Sequence, residues 1–240
     1  TVFTELTGGT WMPLVYAAVF MALVAGVVLG GVGKGIERAA KLLMPLLFVI
    51  LLVLVARSVT LPGAGEGIAF YLTPDFSRVS GETFTAAIGQ AFFSLSLGMG
   101  AMLTYGSYMP RDHNLPADAT AVVVLDTLIA ILAGFMVLPA MFAAGMEPGS
   151  GGAGTTFMVL PAVFDAMPGG PIFGFSFFLL LTVAALTSAV SLLETVVCYF
   201  VDEYGASRRG ATAGSALVCF LIGIPASLSF GLMSDVEIFG

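Results

Sequence analysis

The sequence predicts an all-α, polytopic membrane protein with about six transmembrane helices. Three observations predict it. Only 10% of the 240 residues are charged, 58% are hydrophobic and the mean hydropathy is +1.05, whereas a soluble chain carries about 25% charge to keep its surface wet. Apolar runs recur along the chain, most of them near the roughly 20 helical residues, at about 1.5 Å each, that cross a hydrocarbon core. None of these runs shows the alternating polarity of barrel strands, and unpaired backbone in lipid admits only helices or closed barrels. The formal charge of −7 gives no footing for nucleic acid, which calls for a basic stripe.

The first span is 11–31, with no charge in it, and the second is 42–61, where Arg57 snorkels toward the surface. The third is 83–110, the fourth 119–144, the fifth 171–201 and the sixth 211–234. Residues 1–240 read as a single transmembrane domain. Two connections, 62–82 and 145–170, are longer than turns, and connections of that length are often lids or binding elements. Phe70, Tyr71, Pro74 and Phe76 predict order in the former, and the apolar stretch 157–164 predicts a short helix dipping toward the membrane in the latter. Cys198 and Cys219 lie in apolar stretches and read as packing residues.

Basic residues fix the orientation. Lys34, Arg38, Lys41, Arg111, Arg208 and Arg209 alternate with Arg57 and Arg78, placing six on one side and two on the other. The first span then starts outside, which is the expectation for a chain whose earlier helices are missing. Glu194, Asp202 and Glu203 close the fifth span on the inner side, where pairing with Arg208 or Arg209 reads as a weak surface interaction.

The third span carries the most chemical information. Gly89-Gln90-Ala91-Phe92-Phe93-Ser94-Leu95-Ser96-Leu97-Gly98-Met99-Gly100 places hydroxyls and glycines at mid-membrane. Glycine disfavours helix by about 1 kcal/mol relative to alanine. A break there frees peptide groups to bind ions and small polar solutes; a close helix–helix contact through small residues reads equally well. Asp126 lies inside the fourth span, and acids at depth mark ion or proton pathways. Ala184-Ala185-Leu186-Thr187-Ser188-Ala189 offers hard oxygen ligands near the middle of the fifth, although hydroxyls bonded to their own helix are the commoner use.

These residues resemble the neurotransmitter:sodium symporters with the bacterial leucine-transporter fold. The resemblance covers nearly the whole chain. It is carried by Gly35-Ile36-Glu37-Arg38 and Met44-Pro45, by Thr60-Leu61-Pro62-Gly63-Ala64 and Phe70-Tyr71-Leu72-Thr73-Pro74-Asp75-Phe76-Ser77, by the third-span motif, and by Leu186-Thr187-Ser188-Ala189 with Asp202-Glu203-Tyr204.

The resemblance implies a partial inverted-repeat fold comprising transmembrane helices four to nine of twelve, in a cell's inner (plasma) membrane. It implies sodium-coupled symport of an amino acid by alternating access, with Na+ as the co-transported ion. The partners are the amino acid, the bilayer and the missing helices of the same chain, without which transport is not expected. It implies a substrate pocket of Phe93, Ser94, Ser96, Met99, Ser188 and Leu192, whose apolar members favour a hydrophobic amino acid, aliphatic or aromatic. Sodium falls to Ser94 and Asp126 at one site and to Ala184, Thr187 and Ser188 at another; Tyr108 and Asp202 match a cytoplasmic gate, and Gly35 and Pro45 a motif for unwinding of helix five. Ser94 stands where threonine is frequent, and Asp126 where many members have asparagine. A built-in carboxylate neutralises the ion in place of an anion, so chloride independence is expected. Two competing expectations are a non-transporting member that kept the fold and an intramembrane enzyme using Asp126 with a serine, which lacks a positioned base.

Overall fold

A computed structural model describes residues 8–9, 11–146, 156–157, 160–165 and 168–229. The described residues are helices joined by short irregular segments. Helix α1 (Trp11–Leu29) is apolar throughout and ends where Gly31 takes a φ of 76°. A short π-helical stretch, Val32–Ile36, follows and leads into α2 (Glu37–Val59), with Pro45 inside it. Two glycines make this junction possible, because a Cβ on Gly30 would stand only 2.8 Å from the Gly35 Cα.

Helix α3 (Ala64–Leu72) starts after Gly63 at a φ of 87°. A 3-10 turn, Phe76–Arg78, is capped by the Asp75 carboxylate, which accepts from the Ser77 amide. Helix α4 (Gly81–Ser94) and helix α5 (Ala101–Ser107) come next. Helix α6 (Leu115–Ala143) is capped by Asn114, which accepts from the Ala117 amide. The six-residue α7 (Leu160–Asp165), the long α8 (Gly170–Tyr204) and α9 (Arg208–Leu228), capped by Ser207, complete the order.

Among the described residues five stretches are long and apolar enough to cross a membrane: Trp11–Leu29, Val32–Val59, Leu115–Ala143, Gly170–Tyr204 and Arg208–Leu228. Within the stretch read as a third span, 83–110, lie helix α5 and most of helix α4, separated by 95–100. Elsewhere the helices run past the apolar limits into charged turns. Helix α2 begins at Glu37, whose carboxylate pairs with Lys41 one turn on, and α9 begins at Arg208. The connection 62–82 holds α3. Of 145–170, residues 147–155, 158–159 and 166–167 lie outside the described residues, as do 230–240 beyond α9.

The chain forms two compact units. The first contains residues 1–43 and 183–240. Here α9 packs along α1, and Val24 and Val28 of α1 and Thr212 of α9 are entirely buried. The second unit contains residues 44–182, where α3 lies across α6. Tyr71 sets that contact. Its ring covers Gly134 and meets Phe135 edge-on at 5.1 Å between centroids, and its hydroxyl donates to the Ile131 carbonyl at 3.3 Å. Nearby, the Arg57 guanidinium lies 5.5 Å from the centre of the Phe173 ring. Large apolar side chains stand outward along the long helices, Val15, Val19 and Leu23 on α1 and Val122, Val123, Val124 and Leu125 on α6 among them. A water-facing surface of that kind would aggregate.

Candidate functional site

The interruption between α4 and α5 is built from backbone conformation. The Leu95 amide still reaches the Ala91 carbonyl at 3.0 Å, but the Ser96 amide turns to Phe93 at 3.1 Å and the Leu97 amide to Phe92 at 2.9 Å. That last bond spans five residues and closes the helix as a Schellman-type end, with Ser96 left-handed at a φ of 53°. For a residue with a Cβ this conformation costs about 1–2 kcal/mol. Gly98 and Gly100 follow, each at a φ of 80°, and the Thr104 amide on the Gly100 carbonyl starts the next helix at 3.0 Å. The amides of Gly98, Met99 and Gly100 make no backbone hydrogen bond among the described residues. A helix C-terminus, partly negative, and a helix N-terminus, partly positive, therefore lie within a few residues of each other.

Ser94 is the last residue of α4 and accepts from the Gln90 side-chain amide at 3.3 Å. Phe93 beside it is 69% exposed and Met99 38%, so the break carries apolar side chains as well as peptide groups. Asp126 lies within α6 in the same unit, half-buried. No hydrogen bond or ion pair engages its carboxylate among the described residues. No three His, Cys, Asp or Glu side chains gather among them either. The oxygens on offer are one carboxylate, hydroxyls and carbonyls, hard ligands of the kind that suit a small cation.

Ala184, Thr187, Ser188 and Leu192 belong to α8 and to the other unit. Thr187 Oγ1 donates to the Ala184 carbonyl at 2.9 Å. The ladder continues as the Ser191 hydroxyl donates to Thr187 and the Thr195 hydroxyl to Ser191. Ser188 and Leu192 are exposed. Of the two residues matched to a gate, Tyr108 caps α5, and Asp202 near the end of α8 accepts from Cys198 Sγ at 3.0 Å. Gly35 lies in the π stretch and Pro45 in α2.

One expectation is overturned. Glu194 is not a surface acid: it is wholly buried and paired with Arg208, which also donates to the Val28 carbonyl. The short segment between α8 and α9 folds Arg208 back toward Glu194. The signal in the sequence was an acid set among Leu192, Leu193 and Val196, with an arginine opening the next helix.

Five membrane-length helices among the described residues, and two shorter helices separated by an interruption next to the Ser94 hydroxyl, define an integral multi-pass membrane protein of the transporter kind. The model of the sodium:neurotransmitter symporter family matches residues 6–238, and the chain belongs to that family. It is a family of transporters, not of enzymes.

The chain is 42% identical to an uncharacterized sodium-dependent transporter, YhdH, of Bacillus subtilis (strain 168), over 92% of this chain and 49% of that protein. It is 40% identical to an uncharacterized sodium-dependent transporter of Haemophilus influenzae, over 97% of this chain and 51% of that one. Among solved structures it resembles MhsT in complex with L-phenylalanine, at 49% identity and a TM-score of 0.89, covering 99% of this chain and 54% of that one. The chain thus spans about half the length of the relatives it matches, with the bacterial leucine-transporter-like fold expected from its motifs.

Proposed function

We propose that the complete protein is a sodium-coupled symporter of a hydrophobic amino acid, working by alternating access. One observation carries this reading: the helix interruption at 95–100, where α4 ends on Ser94 and the amides of Gly98, Met99 and Gly100 make no backbone hydrogen bond among the described residues. The Ser94 hydroxyl suits a cation, and those three amides suit a substrate carboxylate. In this reading Ser94 and Asp126 bind one sodium ion; Ala184, through its carbonyl, Thr187 and Ser188 bind another. Phe93, Ser94, Ser96, Met99, Ser188 and Leu192 line the side-chain pocket. Phe93, Met99 and Leu192 are apolar, and methionine adapts to side chains of several sizes. The likeness to MhsT, whose structure holds L-phenylalanine, supports an apolar substrate.

Coupling follows from linkage: sodium and amino acid stabilise the same state, so each raises the affinity for the other. Asp126 supplies the negative charge beside the first ion, and chloride is not required. Tyr108 and Asp202 act at the inner gate, with Gly35 and Pro45 permitting α2 to unwind. The test is binding of labelled phenylalanine and leucine to the full-length protein in lipid nanodiscs, with sodium or with potassium. Sodium-dependent saturable binding supports the reading; equal binding in potassium, or none in either salt, removes it.

A further inference from the structure

Arg208 stands at the wrong end of its own helix. It is the first residue of α9, where the macrodipole is positive and a cation is disfavoured. Its guanidinium is spent on other helices. Nε and Nη2 donate to the Val28 carbonyl at 3.0 and 2.9 Å, and Nη2 also donates to Glu194 Oε2. Val28 lies in the last turn of α1, where backbone carbonyls run out of intrahelical partners and the dipole is negative. Two N–H groups converging on that carbonyl make a side-chain cap for α1. Glu194, buried in α8, holds the guanidinium from behind.

What the cap protects lies just beyond it. Gly31, at a φ of 76°, would place a Cβ 3.9 Å from Arg208 Nε, so the guanidinium flanks the turn. Immediately after comes the π stretch Val32–Ile36, pinned by the contact between Gly30 and Gly35. A π stretch is a rare helical form that is frequent at functional sites, and glycine-rich backbone gains the most conformational freedom when it opens.

We propose that Arg208 is a clamp that sets how readily residues 30–36 unwind. The guanidinium ties α1, α8 and α9 at one point, and the π stretch opens when the Val28 carbonyl is let go. Arg208 is a positioning residue in this role, acting through the backbone of α1. It stands independently of which ion or substrate the protein carries.

Amide hydrogen exchange on the full-length protein in lipid nanodiscs tests it, without ligand. Arg208→Lys keeps the charge but has a single donor atom, which cannot serve Val28 and Glu194 in the same fork. It should speed exchange across 28–36 at least tenfold while α3 and α6 stay as in the wild type. Glu194→Gln, which keeps an acceptor, should have a smaller effect on the same peptides, and Arg209→Lys none. If exchange across 28–36 is unchanged in Arg208→Lys, or rises equally in every helix, or rises as much in Arg209→Lys, the clamp is overturned. Should Arg208→Lys fail to accumulate, Glu194→Gln decides by the same comparison.

Discussion

The Thr187 hydroxyl donates to the Ala184 carbonyl 2.9 Å away, so two oxygens proposed as sodium ligands hold each other within one turn of α8. A cation seated between them takes lone pairs from both and turns the hydroxyl hydrogen outward. The hydroxyl is therefore the element to remove. Thr187→Val should weaken sodium-dependent amino-acid binding at least tenfold, about 1.4 kcal/mol, and Thr187→Ser should leave it within a few-fold. Sodium titrations of labelled ligand binding check this; wild-type affinity in Thr187→Val would rule that ligand out.

The Asp126 carboxylate makes no hydrogen bond or ion pair among the described residues. Asp126→Asn removes the proposed built-in counter-charge and keeps an oxygen. Uptake by the variant should fall in chloride-free medium and recover on adding chloride, while wild-type uptake ignores it. Wild-type uptake stimulated by chloride would contradict the assignment.

Gly98 has a φ of 80°, and a Cβ there would meet nothing within 4 Å. Gly98→Ala therefore tests backbone strain alone. The left-handed conformation should cost about 1–2 kcal/mol, seen as a lower melting temperature and weaker amino-acid binding. An unchanged melting temperature would show that 95–100 adapts freely.

Gly67 is closed in differently: an added Cβ would stand 2.7 Å from the Pro139 Cα. Gly67→Ala should lift α3 off α6 at a cost of about 1–3 kcal/mol. Tyr71→Phe loses only the 3.3 Å hydrogen bond to Ile131 and should cost about 0.5–1.5 kcal/mol. Limited proteolysis in the 60–80 region should rank the two variants in that order.

Glu194 is buried without solvent access and paired with Arg208. Glu194→Ala leaves the Arg208 guanidinium, 28% exposed, on the Val28 carbonyl alone and should cost about 1.5–3 kcal/mol, whereas replacing both partners with apolar residues of similar volume should cost less. Thermal unfolding of the single and double variants separates the two. Equal losses would mean that the pair adds little beyond volume.

The amino-acid sequence by itself determined the solvent and the class of fold. So few charges and so many long apolar runs leave helices or a closed barrel in lipid as the ways to pair the backbone, and the lack of alternating polarity leaves helices. The interruption near Ser94 was one of two readings the sequence left open, because Gly98 and Gly100 populate a positive φ at little cost and equally suit a close helix–helix contact. Helix limits were less legible, since Glu37, Lys41 and Arg208 extend helices that the apolar pattern stops short of.

Tertiary structure alone decided the rest. A left-handed Ser96 has no signature, since a serine normally avoids that conformation; the helix-closing bond from Leu97 to Phe92 holds it there. Tyr71 over Gly134 joins residues far apart in the chain, and spacing along one helix cannot foresee a contact with another. Glu194 and Arg208 looked like surface charges because sequence shows neighbours along the chain and not burial. Only packing of α9 against α1 brings the guanidinium to the Val28 carbonyl, and burial is what makes an unpaired Glu194 costly.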